Sequence, residues 1–246
     1  MTTDRVSLRL LDWDTAFFGR RIAVLSAPPL DDDDLARSIR EAKTLGVECV
    51  YALSGVEGQA AIQALSRAGA RLVDVRITFE RGLVDLGATL PDSAIRAAEP
   101  RDLAELRALA AASHESSRFY ADQRFPRDLC HELFATWIEK SCGGWAQVVR
   151  VAIVDGAVRG YATGHVRENG RGEIGLVAVD PRSQGRGLGR LLVQATLGAL
   201  RDLGLSNATV VTQGRNIGAQ RLYQADGFRT QRVQTWHHLW IDEVRT

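Results

Sequence analysis

The sequence predicts a mixed α/β fold in two lobes, and three observations predict it. Strand-like segments with apolar residues at every second position alternate with helix-like segments along the whole chain. A stretch at Leu86 to Ala94, holding Gly87 and Pro91, interrupts that alternation and sets off a smaller lobe, residues 1–90, from a larger one, residues 95–246. Shifting the chain by 158 residues also lays Gly46–Gly69 over Gly204–Gly227 without a gap. Each of those segments reads glycine, strand, loop, helix, glycine, then a long strand, which is the mark of a repeated unit.

The elements of the first lobe follow in order. Val6 to Leu11 is a short apolar run, Trp13 to Gly19 an aromatic turn, and Ile22 to Leu25 a strand that Pro28-Pro29 stops. The acids Asp31 to Asp34 read as the start of a helix reaching Leu45, because carboxylates favour the positive end of a helix dipole. A metal site there would need further ligands converging from elsewhere. Gly46 ends the helix. A buried strand at Val47 to Leu53, a helix at Gly58 to Ala68 and a period-2 strand at Leu72 to Phe79 complete the lobe.

The second lobe opens on a helix at Arg101 to Ala112, then the aromatic and charged stretch Ser117 to Pro126, then a helix near Leu129 to Lys140. Strands are expected at Trp145 to Val154 and, across the Asp155-Gly156 turn, at Val158 to Arg167, with a third at Glu173 to Val179. Gly187 to Leu203 is an amphipathic helix with Leu188, Leu191, Leu192, Ala195 and Ala199 on one face. A strand at Ala208 to Thr212, a helix at Ile217 to Ala225 and a strand at Thr230 to Trp240 close the chain. His237 and His238 fall on alternate sides of that last strand, so no more than one is expected to face a core, and a joint metal site is not expected.

Composition excludes more than it assigns. The 246 residues are 45% apolar and 25% charged, as in ordinary globular proteins. Lys plus Arg number 31 and Asp plus Glu 30, so no global basic field exists to grip a nucleic-acid backbone. No apolar run reaches the ~18 residues of a membrane span, and the opening residues lack a signal-peptide core. The expectation is a cytoplasmic protein without membrane insertion. Cys49, Cys130 and Cys142 show no C-x-x-C spacing, which suggests neither a disulfide frame nor a zinc site. Asn207-Ala208-Thr209 matches a glycosylation sequon that a cytoplasmic location would leave idle.

Chemistry is carried by one segment. Leu176-Val177-Ala178-Val179-Asp180-Pro181-Arg182 leads into Ser183-Gln184-Gly185-Arg186-Gly187-Leu188-Gly189 and then directly into the amphipathic helix. A strand feeding a glycine-rich turn that opens a helix aims free backbone N–H groups and the positive helix end at one spot, which suits a pyrophosphate. Glycine lets the backbone approach the phosphates, and Arg182, Arg186 and Arg190 add positive charge. A Rossmann fingerprint would need its third glycine elsewhere, and no Walker loop is present.

The spacing Gln184-x-x-Gly187-x-Gly189, placed after Val-x-Val-Asp-Pro and ahead of Asn216 and Tyr223, resembles the coenzyme A loop of the GCN5-related N-acetyltransferases. Leu11 to Gly19, Ser117 to Asp122 and Thr212 to Phe228 further resemble the dTDP-fucosamine acetyltransferase family, so the likeness covers most of the chain. The resemblance implies an acetyltransferase domain at 95–246 and, at 1–90, a lobe like a truncated half-domain without chemistry. It implies acetyl-CoA as cosubstrate, no metal, a nucleotide-linked amino sugar as acceptor, and a homodimer. It assigns Val177, Ala178, Val179, Ser183 to Gly189, Asn216 and Tyr223 to the coenzyme. A backbone N–H of Val177 or Val179 would meet the acetyl oxygen, and Tyr223 would act as general acid. A phenol with a reference pKa of ~10 can protonate a departing thiolate of ~8.5.

The general base stays open among Glu173, Glu115, His114, Asp122 and His165, and a sugar amine can also lose its proton to water. Two rival readings remain. One is an enzyme acetylating protein N-termini or polyamines; the other is a coenzyme-binding module without catalysis. The modest basic excess of residues 95–246 leans towards an anionic acceptor.

Overall fold

A computed structural model of the chain describes residues 6–29, 31–84, 86, 94–168 and 170–245. Ten strands and eight α-helices of four residues or more occur among them. The first part runs β1 (Leu8–Leu10), α1 (Asp12–Phe18), β2 (Ile22–Leu25), α2 (Asp32–Thr44), β3 (Cys49–Gly55), α3 (Gln59–Arg67) and β4 (Arg71–Gly82). It continues with β5 (Ile95–Ala97), α4 (Leu103–Ser113), α5 (Arg118–Ala121), α6 (Arg127–Lys140), β6 (Val148–Val154), β7 (Ala157–Val166) and β8 (Gly172–Val179). The last elements are α7 (Leu188–Asp202), β9 (Asn207–Gln213), α8 (Ile217–Ala225) and β10 (Arg229–Trp240).

The chain folds as two compact units that no single cut in the sequence separates. Unit one takes the described parts of Met1–Arg76, Ser117–Leu129 and Arg232–Thr246; unit two takes Ile77–Ser116 and Cys130–Gln231. Of the linker Leu86 to Ala94, residues 87–93 lie outside the described residues. Both units carry mixed sheets, as the sequence predicts. In unit one the strands run β1-β2-β3-β10-β4, with β2 parallel to β3 and β10 antiparallel to it. In unit two they run β4-β9-β8-β7-β6-β5, antiparallel from β5 to β8 and parallel between β8 and β9.

The 158-residue shift carries β3 onto β9, α3 onto α8 and β4 onto β10 with the same first and last residues. The glycines after the helices also match. Gly46 and Gly204 have φ of 65° and 88°, and Gly69 and Gly227 have 88° and 83°, left-handed values that stop a helix cheaply only at glycine. Each half gives up its long last strand, since β3 is completed by β10 and β9 by β4.

Both faces of the unit-one sheet are covered. On one face Val50, Ala52 and Leu239 pack under Leu35 and Ile39 of α2 and Ala64 and Leu65 of α3. On the other, Tyr51 and His238 lie opposite each other in the strand ladder and meet Phe119 and Phe125. His237 and His238 are therefore both buried, at 4% and 0% exposure, against the sequence expectation that at most one is. Alternation sorts side chains between faces, and it says nothing about which faces are covered. His238 Nε2 accepts from Arg118 at 3.0 Å and its Nδ1–H donates to Asp122 at 2.8 Å, so the ring is neutral, with burial pushing its pKa down to about 4.

Trp13 to Gly19 is a helix rather than the expected turn. Asp12 and Asp14 sit in the first turn of α1, and Gly19 at φ 63° ends it. The strand expected from Trp145 begins only at Val148, because Ser141–Trp145 is a turn kinked at Gly144, whose φ of 103° is non-helical.

Candidate functional site

In unit two, β8 is paired to β9 only through Gly172, Glu173 and Ile174. Beyond Ile174 the β9 ladder stops while β8 runs on to Val179, still paired to β7. The two parallel strands thus part, and one edge of the β8 backbone is left open. Which N–H groups line that edge follows from alternation. Leu176 N–H and Asp180 N–H both donate towards β7, to Thr163 Oγ1 and to the Arg159 carbonyl, at 2.9 and 2.8 Å. Val177 and Val179, of opposite parity, point theirs towards the open edge. Their side chains face inward and pack in the core.

The glycine-rich turn follows at once. Asp180 caps a single 3₁₀ turn, Pro181–Ser183, accepting from Arg182 N–H at 2.9 Å. Ser183 is buried, and Gln184 Nε2 donates to the Val179 carbonyl at 3.1 Å. Gly185 and Gly187 then take φ of 75° and 80°, with nothing within 4 Å of where a Cβ would stand. Gly187 caps α7 without a side-chain bond; Arg190 N–H turns back to the Gly187 carbonyl at 3.0 Å, and the Leu188 and Gly189 amides ahead of it find no acceptor among the described residues. Leu188 anchors the turn in the core against Ala162 and Leu192. Gly185, Arg186 and Gly187 are exposed. This is a cradle of free amides with room in front of it.

Of the three arginines assigned to that turn, two are already engaged. Arg182 pairs with Asp180 at 2.8 Å and Arg190 with Asp226 at 3.4 Å, and Arg182 holds the Asp180 carboxyl far below its usual range. Arg186 makes no ion pair among the described residues.

Helix α8 lies against the start of α7, where a Cβ on Gly189 would meet Leu222 at 3.4 Å. Asp226, just past α8, fastens the arrangement. It accepts from Gln194 at 2.7 Å and from Arg81 at 3.0 Å and is 4% exposed. Sequence reading passed over Asp226, since one acid after a helix carries no local signal. Asn216 caps α8, its Oδ1 accepting from Ala219 N–H at 3.1 Å. Tyr223 is 4% exposed between Phe79 and Phe228 and packs in the cluster that Val177 touches. Its hydroxyl forms no hydrogen bond with the described residues, and burial raises the phenol well above its usual pKa, so it is protonated at neutral pH.

The five candidate bases do not come together. Glu173 is ion-paired to Arg167. His114 stacks on Phe134 and hydrogen-bonds Tyr161 Oη at 2.8 Å, and burial pushes its pKa down to about 4. Asp122 belongs to unit one, bound to His238 and to Trp240 Nε1 at 2.9 Å. Glu115 is exposed. His165 is buried on β7 beside Thr163 and borders a cavity of about 660 Å³ that Trp145, Gln147 and Arg167 also line.

No group of three or more His, Cys, Asp or Glu side chains that could hold a metal occurs among the described residues, and none of their helices is long and apolar enough to cross a membrane.

A sequence model of the acetyltransferase (GNAT) family matches residues 96–228. The chain is 30% identical over 142 residues to the spore coat polysaccharide biosynthesis protein SpsD of Bacillus subtilis, covering 58% of this chain and 49% of that protein. It is 40% identical over 82 residues to a mycothiol acetyltransferase of Mycobacterium marinum, covering 30% of this chain and 26% of the relative. The matched region is thus about half or less of these relatives' length. A GCN5-related N-acetyltransferase from Sphaerobacter thermophilus shares the fold, with a TM-score of 0.66 at 16% identity over 95% of this chain and 76% of that one.

Proposed function

The chain belongs to the GNAT acetyltransferase family, and from that premise we propose that it moves the acetyl group of acetyl-CoA to the amine of a nucleotide-linked amino sugar. The observation that carries the reading is the parting of β8 from β9 at Ile174, directly ahead of two outward N–H groups and a glycine cradle. In this reading the amides around Gly185, Gly187 and Leu188 take the pyrophosphate, together with Arg186 and the side chains of Ser183, Gln184 and Asn216.

The acetyl carbonyl oxygen accepts from Val177 or Val179 N–H. Charge builds on that oxygen as the neutral amine attacks, and preorganised donors stabilise it most there. The N–C bond forms, the C–S bond breaks, the amine releases its proton to solvent or a base, and the Tyr223 phenol supplies the proton that the sulfur takes up. Unit one, without a counterpart of the glycine cradle, binds no coenzyme.

The sugar acceptor is supported by the match to SpsD, a spore coat polysaccharide biosynthesis protein, by the basic excess of the larger lobe and by the sequence resemblance to amino-sugar acetyltransferases. A second reading, another small amine as acceptor, draws on the mycothiol acetyltransferase match. One panel separates them. Thiol release from acetyl-CoA is followed with dTDP-4-amino-4,6-dideoxygalactose, other nucleotide amino sugars, free amino sugars, a polyamine and a peptide N-terminus. Release with the nucleotide sugars alone is the expected result. Release with the polyamine or peptide alone moves the acceptor elsewhere, and binding of acetyl-CoA without release on any amine reduces the chain to a coenzyme-binding module.

A further inference from the structure

Strand β8 contains one residue more than its partner can pair. Ala162 faces Val177 and Gly164 faces Ile174, so Thr163 of β7 faces both Gly175 and Leu176, which is a β-bulge. The bulge takes the Leu176 amide off the backbone ladder, and the Thr163 hydroxyl accepts its N–H at 2.9 Å. Thr163 Oγ1 lies 3.3 Å from His165 Nε2, and His165 Nδ1 lies 3.2 Å from the Trp145 carbonyl oxygen.

A carbonyl can only accept, so Nδ1 carries the ring proton and Nε2 is left to accept from Thr163. Burial is the main cause that lowers the His165 pKa, and Arg167 adds to it against the weaker opposing pulls of the Trp145 hydrogen bond and Glu173, so the ring is neutral. The bonds therefore run one way, from Leu176 N–H to Thr163, from Thr163 O–H to His165, and from His165 N–H to Trp145. Thr163 and His165 are 0% and 4% exposed, so both side chains are buried. Glycine at 175 is part of the device. A Cβ there would stand 2.6 Å from His165 Nε2 and 2.8 Å from Thr163 Oγ1.

The bulge decides which amides reach the open edge. Ahead of it Ile174 packs in the core, and beyond it Val177 and Val179 do, so the inward parity changes at this point. Without the extra residue every position after Gly175 would shift by one, and Leu176 and Ala178 would turn their N–H groups outward in place of Val177 and Val179. The change falls where β8 leaves β9.

We propose that Thr163, oriented by His165, is a positioning residue for the acetyl site: its hydroxyl fixes the β8 bulge and so presents the Val177 and Val179 amides to the gap. The role at the acetyl group rests on the acetyltransferase reading above; the lock itself does not.

Thr163→Val keeps the side-chain shape and removes the acceptor. In the full chain, the Leu176 amide should exchange with solvent at least ~10-fold faster by NMR, the loss of one buried hydrogen bond. The kcat should fall by ~10-fold or more, as when one preorganised donor is misplaced, with the dissociation constant for acetyl-CoA unchanged. Thr163→Ser should restore both, which a generally loosened fold would not allow. Gly175→Ala should reproduce the Thr163→Val pattern by displacing the ring, and it serves if Thr163→Val does not fold.

Unchanged Leu176 exchange in Thr163→Val, or an unprotected Leu176 amide in the wild type, overturns the lock. Faster exchange with unchanged kcat overturns the positioning role. If the wild type acetylates no amine, the acetyltransferase reading fails by itself while the exchange measurement, which needs no turnover, still decides the lock.

Discussion

The connection from β8 to α7 and the connection from β2 to α2 stand at the same step of the 158-residue repeat, and their chemistry is opposite. α7 and α2 end at residues that the shift superposes, Asp202 and Thr44. Leading into α7 and over its first two residues the chain reads Gln184-Gly185-Arg186-Gly187-Leu188-Gly189; at the corresponding positions ahead of α2 it reads Ser26-Ala27-Pro28-Pro29-Leu30-Asp31. Two prolines offer no N–H, and Asp31 to Asp34 surround the helix start with negative charge. Asp31 also accepts from Asp34 N–H at 2.9 Å, a side-chain cap that Gly187 cannot supply to α7.

The strands differ in the same sense. β2 ends one residue after its last pair with β3, whereas β8 runs five residues past its last pair with β9. Asn216 and Tyr223 have Gly58 and Leu65 as counterparts, and Leu65 is fully buried in an aliphatic core. A repeated framework can thus keep its helices, strands and stop glycines while only one copy keeps a terminus open to an anion.

That contrast can be broken, most strongly at Tyr223. Tyr223→Phe carries the second copy one step towards the first. Turnover should fall by ~10²–10⁴, nearer the lower figure because a thiolate leaves fairly well unaided, with acetyl-CoA affinity kept. Wild-type turnover, with chemistry shown to limit the rate, would make Tyr223 a packing residue like Leu65.

Gly187→Ala comes next. Its methyl would meet no atom within 4 Å of its own chain, so crowding is not the cost. The positive φ instead costs about 1–2 kcal/mol of stability. Coenzyme affinity measured by calorimetry should drop ~10-fold if the Gly187 region cradles the phosphates, the worth of one charge-assisted hydrogen bond. A folded variant with unchanged affinity would move the phosphate site elsewhere.

The comparison also fixes a stoichiometry. Calorimetric titration should give one acetyl-CoA per chain, and two equivalent sites would show that the prolines and acids before α2 do not exclude the ligand. The smallest effect belongs to the caps. Asp31→Ala and Asn216→Ala should each cost ~1 kcal/mol in denaturant unfolding, the usual value of a lost N-cap. Only Asn216→Ala should also weaken acetyl-CoA. Equal coenzyme affinity in both variants would leave Asn216 as a cap and nothing more.

Residues acting through their neighbours in sequence were legible before the fold was known. β2 and α8 begin and end where the apolar pattern places them, and the turn from Gln184 to Gly189 reads directly as an open helix terminus. α1 is not legible in the sequence because three aromatics in seven residues look like a packing turn, while the two acids that start the helix and the Gly19 that stops it are weak signals singly. Gly175 gave a hint, since a glycine inside a strand marks a bulge, but nothing in the local sequence names Thr163 and His165 as its partners.

By itself the sequence determined most of the helices and strands, the repeat and the glycine cradle, because propensity, capping and alternation act over a few residues at a time. Tertiary structure decided that β10 completes β3, that both faces of the unit-one sheet are covered so that His237 and His238 are both buried, and that Asp226 joins Arg81 to Gln194. It also decided that the hydroxyl of Thr163 takes the Leu176 amide. Each of these is a contact between residues far apart in the chain or on different strands. Such contacts form when apolar faces are buried and displaced backbone donors find new acceptors, and no local pattern records which acceptor that is.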